Sequence, residues 1–335
     1  SLLAPEKRGK SWWLIELAMR AVRQKANVAF FAAGDMTESQ MLRRICVYIA
    51  RRSDRPKYCQ ERFVPVGDCV LNQLDLCERK DRNCNFGIFD LPLEEFQRSR
   101  NKLLTKEVLR EGFESNPDYC ACDSHACRYR QGSVWLKKVP AVRPLTAEDA
   151  KKALKSFFQR YRRRFKLVCV PAGTLTVQGI RSYLDNWERR ELFVPDVIVV
   201  DYADLLSAQD SRIAEYRHQQ DHVWKSLRAL SQEMHALVIT ATQADAASYQ
   251  GNRLTMSNFS EDKRKLAHVT AQYGLNQDSS GREKELGIMR INEIVVREGE
   301  FLPTREVYVL MDLAGGRPYL ESFGLLPTLD TDIFV

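Results

Sequence analysis

The sequence predicts an α/β fold with a mainly parallel sheet flanked by helices. Three observations predict it. Short apolar runs at residues 28–31, 167–170, 197–200 and 237–239 lack polar alternation, as strands covered on both faces by helices do. Helical spacing fills the stretches between them, and this alternation argues a parallel sheet. A basic turn, Ala4-Pro5-Glu6-Lys7-Arg8-Gly9-Lys10-Ser11, joins a short apolar strand to the first helical pattern. The composition agrees. With 44% hydrophobic and 28% charged residues, the 335-residue chain is excluded from the collagen-like, low-complexity and wholly disordered classes. No apolar run reaches the roughly 18 residues that a membrane helix needs. A net charge of +7 admits a polyanionic partner without identifying one. The chain opens on Ser1 with no secretory signal, which points to a fragment or a processed chain.

Leu2 and Leu3 lead as a strand into the basic turn, which fits the phosphate-binding loop except that Ala4 stands at the first glycine. Backbone N–H groups in such a loop point at phosphates from the positive end of a helix. Lys10 suits the β- and γ-phosphates and the Ser11 hydroxyl suits Mg²⁺. Pro5, Glu6, Lys7, Arg8, Gly9, Lys10 and Ser11 are therefore the candidate nucleotide-binding set. A helix follows over 11–23, with Trp12, Leu14, Ile15, Ala18 and Val22 near helical spacing. Thr37 caps a second helix over 37–51, which carries Met41, Ile45 and Ile49 at i, i+4 and i+8. Helices over 175–190 and 215–235 repeat the theme.

The run at 197–200 ends in Asp201, a carboxylate placed to hold a Mg²⁺ shell directly or through water. The run from 237 ends in Thr242 and Gln243; the amide reads either as a γ-phosphate sensor or as a turn residue. Arg160-Tyr161-Arg162-Arg163-Arg164 reads first as the solvated end of a helix, where cations suit the dipole, and second as a phosphate-attracting run with Tyr161 available for stacking.

In this order, these motifs resemble the RecA-like P-loop NTPase core of DnaB-family replicative helicases, especially phage-encoded ones. Phe30-Phe31-Ala32-Ala33-Gly34-Asp35-Met36 resembles the family's strand ending in Ser-Leu-Glu-Met. Asp35 then takes the place of the catalytic Glu that polarises the attacking water, one methylene shorter, with Glu38 as the alternative. Residues 167–180, with Leu175-Thr176, resemble the family's strand-turn-helix. Asp201-Tyr202 resembles its second nucleotide motif and Ala241-Thr242-Gln243 its Ser-Gln sensor. Val295-Val296-Arg297 resembles a strand ending in Lys-x-Arg, which aligns Arg297 with an arginine finger for the neighbouring subunit's site and leaves Val295 at the Lys position.

The resemblance implies ATP and Mg²⁺, a homo-oligomer in the form of a hexameric ring on single-stranded DNA, and a loader or primase partner. It also implies a cytoplasmic location in a bacterial host, with the protein encoded by a phage or mobile element, and no membrane. The family's DNA-binding loops fall here at about 207–219 and 244–265, with Arg212, Arg217, Arg253, Lys263, Arg264 and Lys265 as candidates. The family's helical collar does not precede the first strand, so either a preceding domain is missing or the protein works without one. The rival readings are a RecA/RadA-like recombination or repair ATPase, and a non-motor ATP-switch module that recruits replication or defence partners.

Nine cysteines complete the reading. Cys46 and Cys169 fall on helical and strand patterns and read as core residues. The other seven lie between Cys59 and Cys127, in a stretch of little hydrophobic periodicity with turn-prone pieces such as Asn116-Pro117-Asp118. Residues 53–135 therefore read as a Cys-rich inserted subdomain, and residues 1–52 with 136–335 as the ATPase core. A cytosolic ATPase disfavours disulfides, so clustered thiolates point to Zn²⁺. Cys69, Cys77, Cys122 and Cys127 are the first choice of ligands, with Cys84, Cys120 and His125 as alternates and unligated thiols as the rival reading.

Overall fold

A computed structural model describes residues 1–68, 133–162, 164–208, 215–249, 251, 253–258, 263–279, 281–302 and 306–324. Its strands are β1 (Leu2–Ala4), β2 (Val28–Ala32), β3 (Arg62–Asp68), β4 (Ser133–Val139), β5 (Phe165–Cys169) and β6 (Val197–Asp201). They continue as β7 (Leu237–Gln243), β8 (Ala271–Asn276), β9 (Ile288–Val296), β10 (Glu306–Asp312) and β11 (Arg317–Gly324). Helices α1 (Lys10–Arg23), α2 (Glu38–Ala50), α3 (Ala147–Tyr161), α4 (Val177–Glu191), α5 (Tyr216–Glu233) and the short α6 (Arg282–Leu286) alternate with them.

Among the described residues, nine strands form one sheet in the order β11-β10-β9-β8-β1-β7-β6-β2-β5. From β8 to β5 all neighbours run parallel; β9, β10 and β11 extend the sheet antiparallel. The four apolar runs became β2, β5, β6 and β7. Strands β8, β10 and β11 were not anticipated, but the sheet is mainly parallel as expected, with the antiparallel pairs confined to the β9–β11 end.

Side-chain alternation explains why β2 and β6 are apolar throughout. Phe30 and Val199 face one layer, with Leu14, Ile15 and Met19 of α1 and Met41 and Ile45 of α2. Phe31, Ile198 and Val200 face the other, with Ile180 and Leu184 of α4 and Trp224 and Leu227 of α5. Burying Phe30 and Phe31 contributes about 2–3 kcal/mol each. The helix starts are capped by sequence-local bonds. Thr37 and Gln40 form a reciprocal capping box at α2, and the Thr176 hydroxyl accepts from Gly179 N–H at 3.0 Å at α4.

β3 and β4 pair antiparallel as a separate two-stranded sheet. Arg62 ties it to the end of β10 through a two-pronged ion pair with Asp312, at 2.7 and 3.3 Å. Cys59 is buried, its thiol directed at the Ser53 carbonyl at 3.2 Å. The cysteines assigned to zinc, and His125, lie outside the described residues. Cys169 packs at the margin of the core as expected. Cys46 does not enter it; the thiol is half-buried and lines a groove of about 790 Å³ between α2 and α3. No helix among the described residues is long and apolar enough to cross a membrane.

Candidate nucleotide site

β1 lies between β7 and β8, so its C-terminal end opens at the middle of the sheet edge. The chain turns there through Lys7 (φ 59°) and Gly9 (φ 86°), and Gly9 caps α1. A Cβ on Gly9 would stand in open space above the turn. Ala4 has no positive φ, so the loop needs no glycine at that position. Lys10 is buried, and its ammonium donates to the Ala4 and Pro5 carbonyls at 3.0 Å each. Burial lowers the Lys10 pKa, against the opposing pull of Asp204, Asp201, Glu6 and Asp35.

Asp201 ends β6, with Ala32 of β2 as its partner in register. It is 1% exposed, and neither carboxylate oxygen has a hydrogen-bond partner of good geometry. Burial pushes its pKa up to about 6; the Ser11 hydroxyl pulls it part of the way back, Asp35 raises it, and Arg44 and Lys10 lower it. A buried carboxylate without well-formed hydrogen bonds is costly, and a hard divalent cation is what such an oxygen pair beside a hydroxyl suits. Ser11 and Asp201 therefore fit Mg²⁺.

Asp35 follows β2 on the same edge. It is exposed, and its charge acts on Lys10, Asp201, Tyr202 and Arg44. Glu38 acts on Cys169 instead. The turn before Asp35 depends on Gly34, at φ 103°, where a Cβ would come within 2.1 Å of the Ala172 backbone nitrogen.

Gln243 ends β7 opposite Ala4. Its amide donates to the Glu6 carboxylate at 3.3 Å, and Glu6 N–H donates to the Tyr249 hydroxyl at 3.1 Å. Arg8 donates to the Gln277 amide oxygen at 3.2 Å, across from the loop.

Arg297 lies elsewhere. β9 runs antiparallel to β8, pairing Val296 with Ala271 at the start of β8. Arg297 is therefore at the opposite edge of the sheet from its own phosphate loop, exposed, with its guanidinium donating to the Ala267 carbonyl. Among the basic DNA candidates, Arg212 lies outside the described residues. Arg217 is exposed in the first turn of α5. Arg253 pairs with Glu306 at 3.5 Å, Lys263 opens the 3-10 turn Lys263–His268, and Arg264 is exposed with a guanidinium nitrogen 3.5 Å from His218 Nδ1. Lys265 corrects the reading: it is 1% exposed and ion-paired with Asp204 at 2.8 Å, so its ammonium is not presented to a ligand.

Two groups at the site were not anticipated. Arg44 of α2 is half-buried, its guanidinium 5.8 Å from the Trp12 ring centroid. Burial lowers its pKa while Asp201 and Asp35 raise it. Its signal was an arginine three residues from Met41, beside the apolar stripe of α2. Asp204, three residues past Asp201, accepts from the Thr242 hydroxyl at 2.7 Å and from Gln243 N–H at 2.9 Å. No group of three or more potential metal ligands occurs among the described residues.

No family model and no curated protein matches the chain. Solved structures do. One solved ATPase domain superposes with a TM-score of 0.57 at 12% identity, covering 96% of this chain and 83% of that one. A DnaB-like replicative helicase, from a structure that addresses its interactions with primase, gives a TM-score of 0.56 at 12% identity and covers 94% of this chain. This chain spans 55% of that helicase's length. The resemblance read from the motifs thus holds at the level of architecture: the chain shares its fold with that ATPase domain and with a DnaB-like replicative helicase.

Proposed function

We propose that the chain is an ATP-hydrolysing motor of the DnaB-like helicase type, which couples hydrolysis at subunit interfaces to movement along single-stranded DNA. The observation that carries this reading is the buried Asp201 carboxylate, without a well-formed hydrogen bond, beside Ser11 and the phosphate loop. Two carboxylate oxygens kept dry in this way are a standing cost to the fold, and a Mg²⁺-nucleotide is the ligand that offsets it.

In this reading the loop N–H groups and the start of α1 hold the phosphates. Lys10 exchanges the Ala4 and Pro5 carbonyls for β- and γ-phosphate oxygens, which its buried position leaves within one side-chain movement. Ser11 and Asp201 would hold Mg²⁺, which would supply neutralisation of the phosphate charge. Asp35 accepts the proton of the attacking water. Gln243 leaves Glu6 for the γ-phosphate. Arg297, at the far edge of its own sheet, serves a neighbour's site, so the working form is an oligomer of copies joined head to tail, which the helicase reading makes a closed ring. Phosphoryl transfer needs little beyond such positioning and charge. Arg217, Arg253, Lys263 and Arg264 supply contacts to the DNA phosphates.

Strand displacement tests the motor. A tailed duplex should be unwound by wild-type protein with Mg²⁺ and ATP, and not by Lys10→Ala. Filaments on DNA with ATP turnover but no displacement would favour a recombination ATPase instead.

A further inference from the structure

Asp204 sits in the 3-10 turn Ala203–Leu205, directly after β6. Its two oxygens serve two different elements. Oδ2 takes the Thr242 hydroxyl at 2.7 Å and the Gln243 N–H at 2.9 Å, fixing the end of β7. Oδ1 takes the Lys265 ammonium at 2.8 Å. Lys265 is buried, and the Asp204 carboxylate is its ion-pair partner there. Lys265 belongs to the turn Lys263–His268, which rests on α5 through His268 Nε2 and Asp221 Oδ1 at 2.9 Å and carries the exposed Arg264. One carboxylate therefore touches both the phosphate-facing strand end and the basic turn that follows it in the chain.

We propose that Asp204 is a positioning residue and that its ion pair with Lys265 couples nucleotide state at Gln243 to nucleic-acid binding by the turn Lys263–His268. When Gln243 shifts from Glu6 to a nucleotide, its backbone moves the Asp204 carboxylate, and Lys265 carries Arg264 with it. A phosphate backbone taken up by the turn acts on Gln243 in the reverse sense, as linkage requires. The inference rests on the ATP and single-stranded DNA reading above and adds the device that joins the two sites.

The test measures binding of a fluorescent oligothymidylate with and without a non-hydrolysable ATP analogue and Mg²⁺, beside thermal melting. Wild-type protein is expected to change its oligonucleotide affinity about fivefold or more on addition of the analogue. In Lys265→Met, and in the double variant Asp204→Asn with Lys265→Met, that ratio should fall to about one. Affinity without nucleotide should stay within about threefold of wild type. Lys265→Arg, which keeps the cation, should restore the ratio.

A wild-type ratio in both variants, or a ratio of one in wild type, overturns the proposal. Loss of oligonucleotide binding in both nucleotide states, by variants that melt like wild type, makes Lys265 part of the binding surface and overturns it too. The double variant leaves no unpaired buried charge, so loss of its cooperative melting would assign the pair to fold stability alone and count equally against coupling. Wild-type protein that binds neither analogue nor oligonucleotide contradicts the ATPase reading itself.

Discussion

Asp201 separates function from stability at a single position. Its burial without a well-formed hydrogen bond destabilises the metal-free chain. Asp201→Asn keeps the volume and removes the charge. Without metal, this variant is expected to be at least as stable as wild type, by about 1 kcal/mol in a urea titration. Its Mg²⁺-dependent turnover should fall about 100-fold or more, since a cation holding phosphoryl oxygens supplies several kcal/mol. A variant that is less stable and equally active would show that the carboxylate serves packing. Lys10 and Asp201 were legible in the sequence because each lies in a contiguous pattern, a loop before a helix and an apolar strand ending in acid. Asp204 and Lys265 were not. They are 61 positions apart, and only the fold turns two ordinary surface-type residues into a buried pair.

The elements that position the site owe their placement to a few local constraints. Gly34 is the sharpest. Its positive φ and the approach of Ala172 leave no room for a side chain, so the ends of β2 and β5 meet there and aim Asp35 along the edge. Gly34→Ala should cost about 2–4 kcal/mol in unfolding free energy, measured by chemical denaturation, and an unchanged midpoint would refute that role. β2 and β6 could be read from sequence because burial on both faces leaves an unbroken apolar run. β8 could not: six residues with Gln272, Gly274 and Asn276 show neither an apolar run nor clean alternation. Its polar residues are there because Asn276 donates to Asn292 at 2.7 Å and accepts from Leu254 N–H at 2.7 Å, which pins Leu254, beyond the end of β7, to the sheet. Antiparallel β10 carries the same signal as β2, an unbroken apolar run from Val307 to Met311, whereas β11, at the edge of the described sheet, interrupts its apolar residues with Pro318, Glu321 and Ser322.

At the scale of the whole molecule, the sheet places the phosphate loop and Arg297 on opposite edges. One subunit cannot close its own site with that arginine; in the proposed motor a neighbouring subunit's Arg297 does so. Equimolar mixing of Arg297→Ala with Lys10→Ala subunits should therefore recover ATPase activity, because about a quarter of the interfaces would pair an intact loop with an intact finger. Steady-state turnover across mixing ratios checks this, and no recovery at any ratio would place Arg297 outside the neighbour's site. The central claim, that the edge built from Lys10, Ser11 and Asp201 hydrolyses ATP for a DNA-tracking motor, is tested most directly by ATP turnover with and without single-stranded DNA. Wild-type protein is expected to show Mg²⁺-dependent hydrolysis that DNA accelerates and that Lys10→Ala abolishes; equal, slow hydrolysis by both proteins, unaffected by DNA, would mean that this edge is not the motor's ATP site.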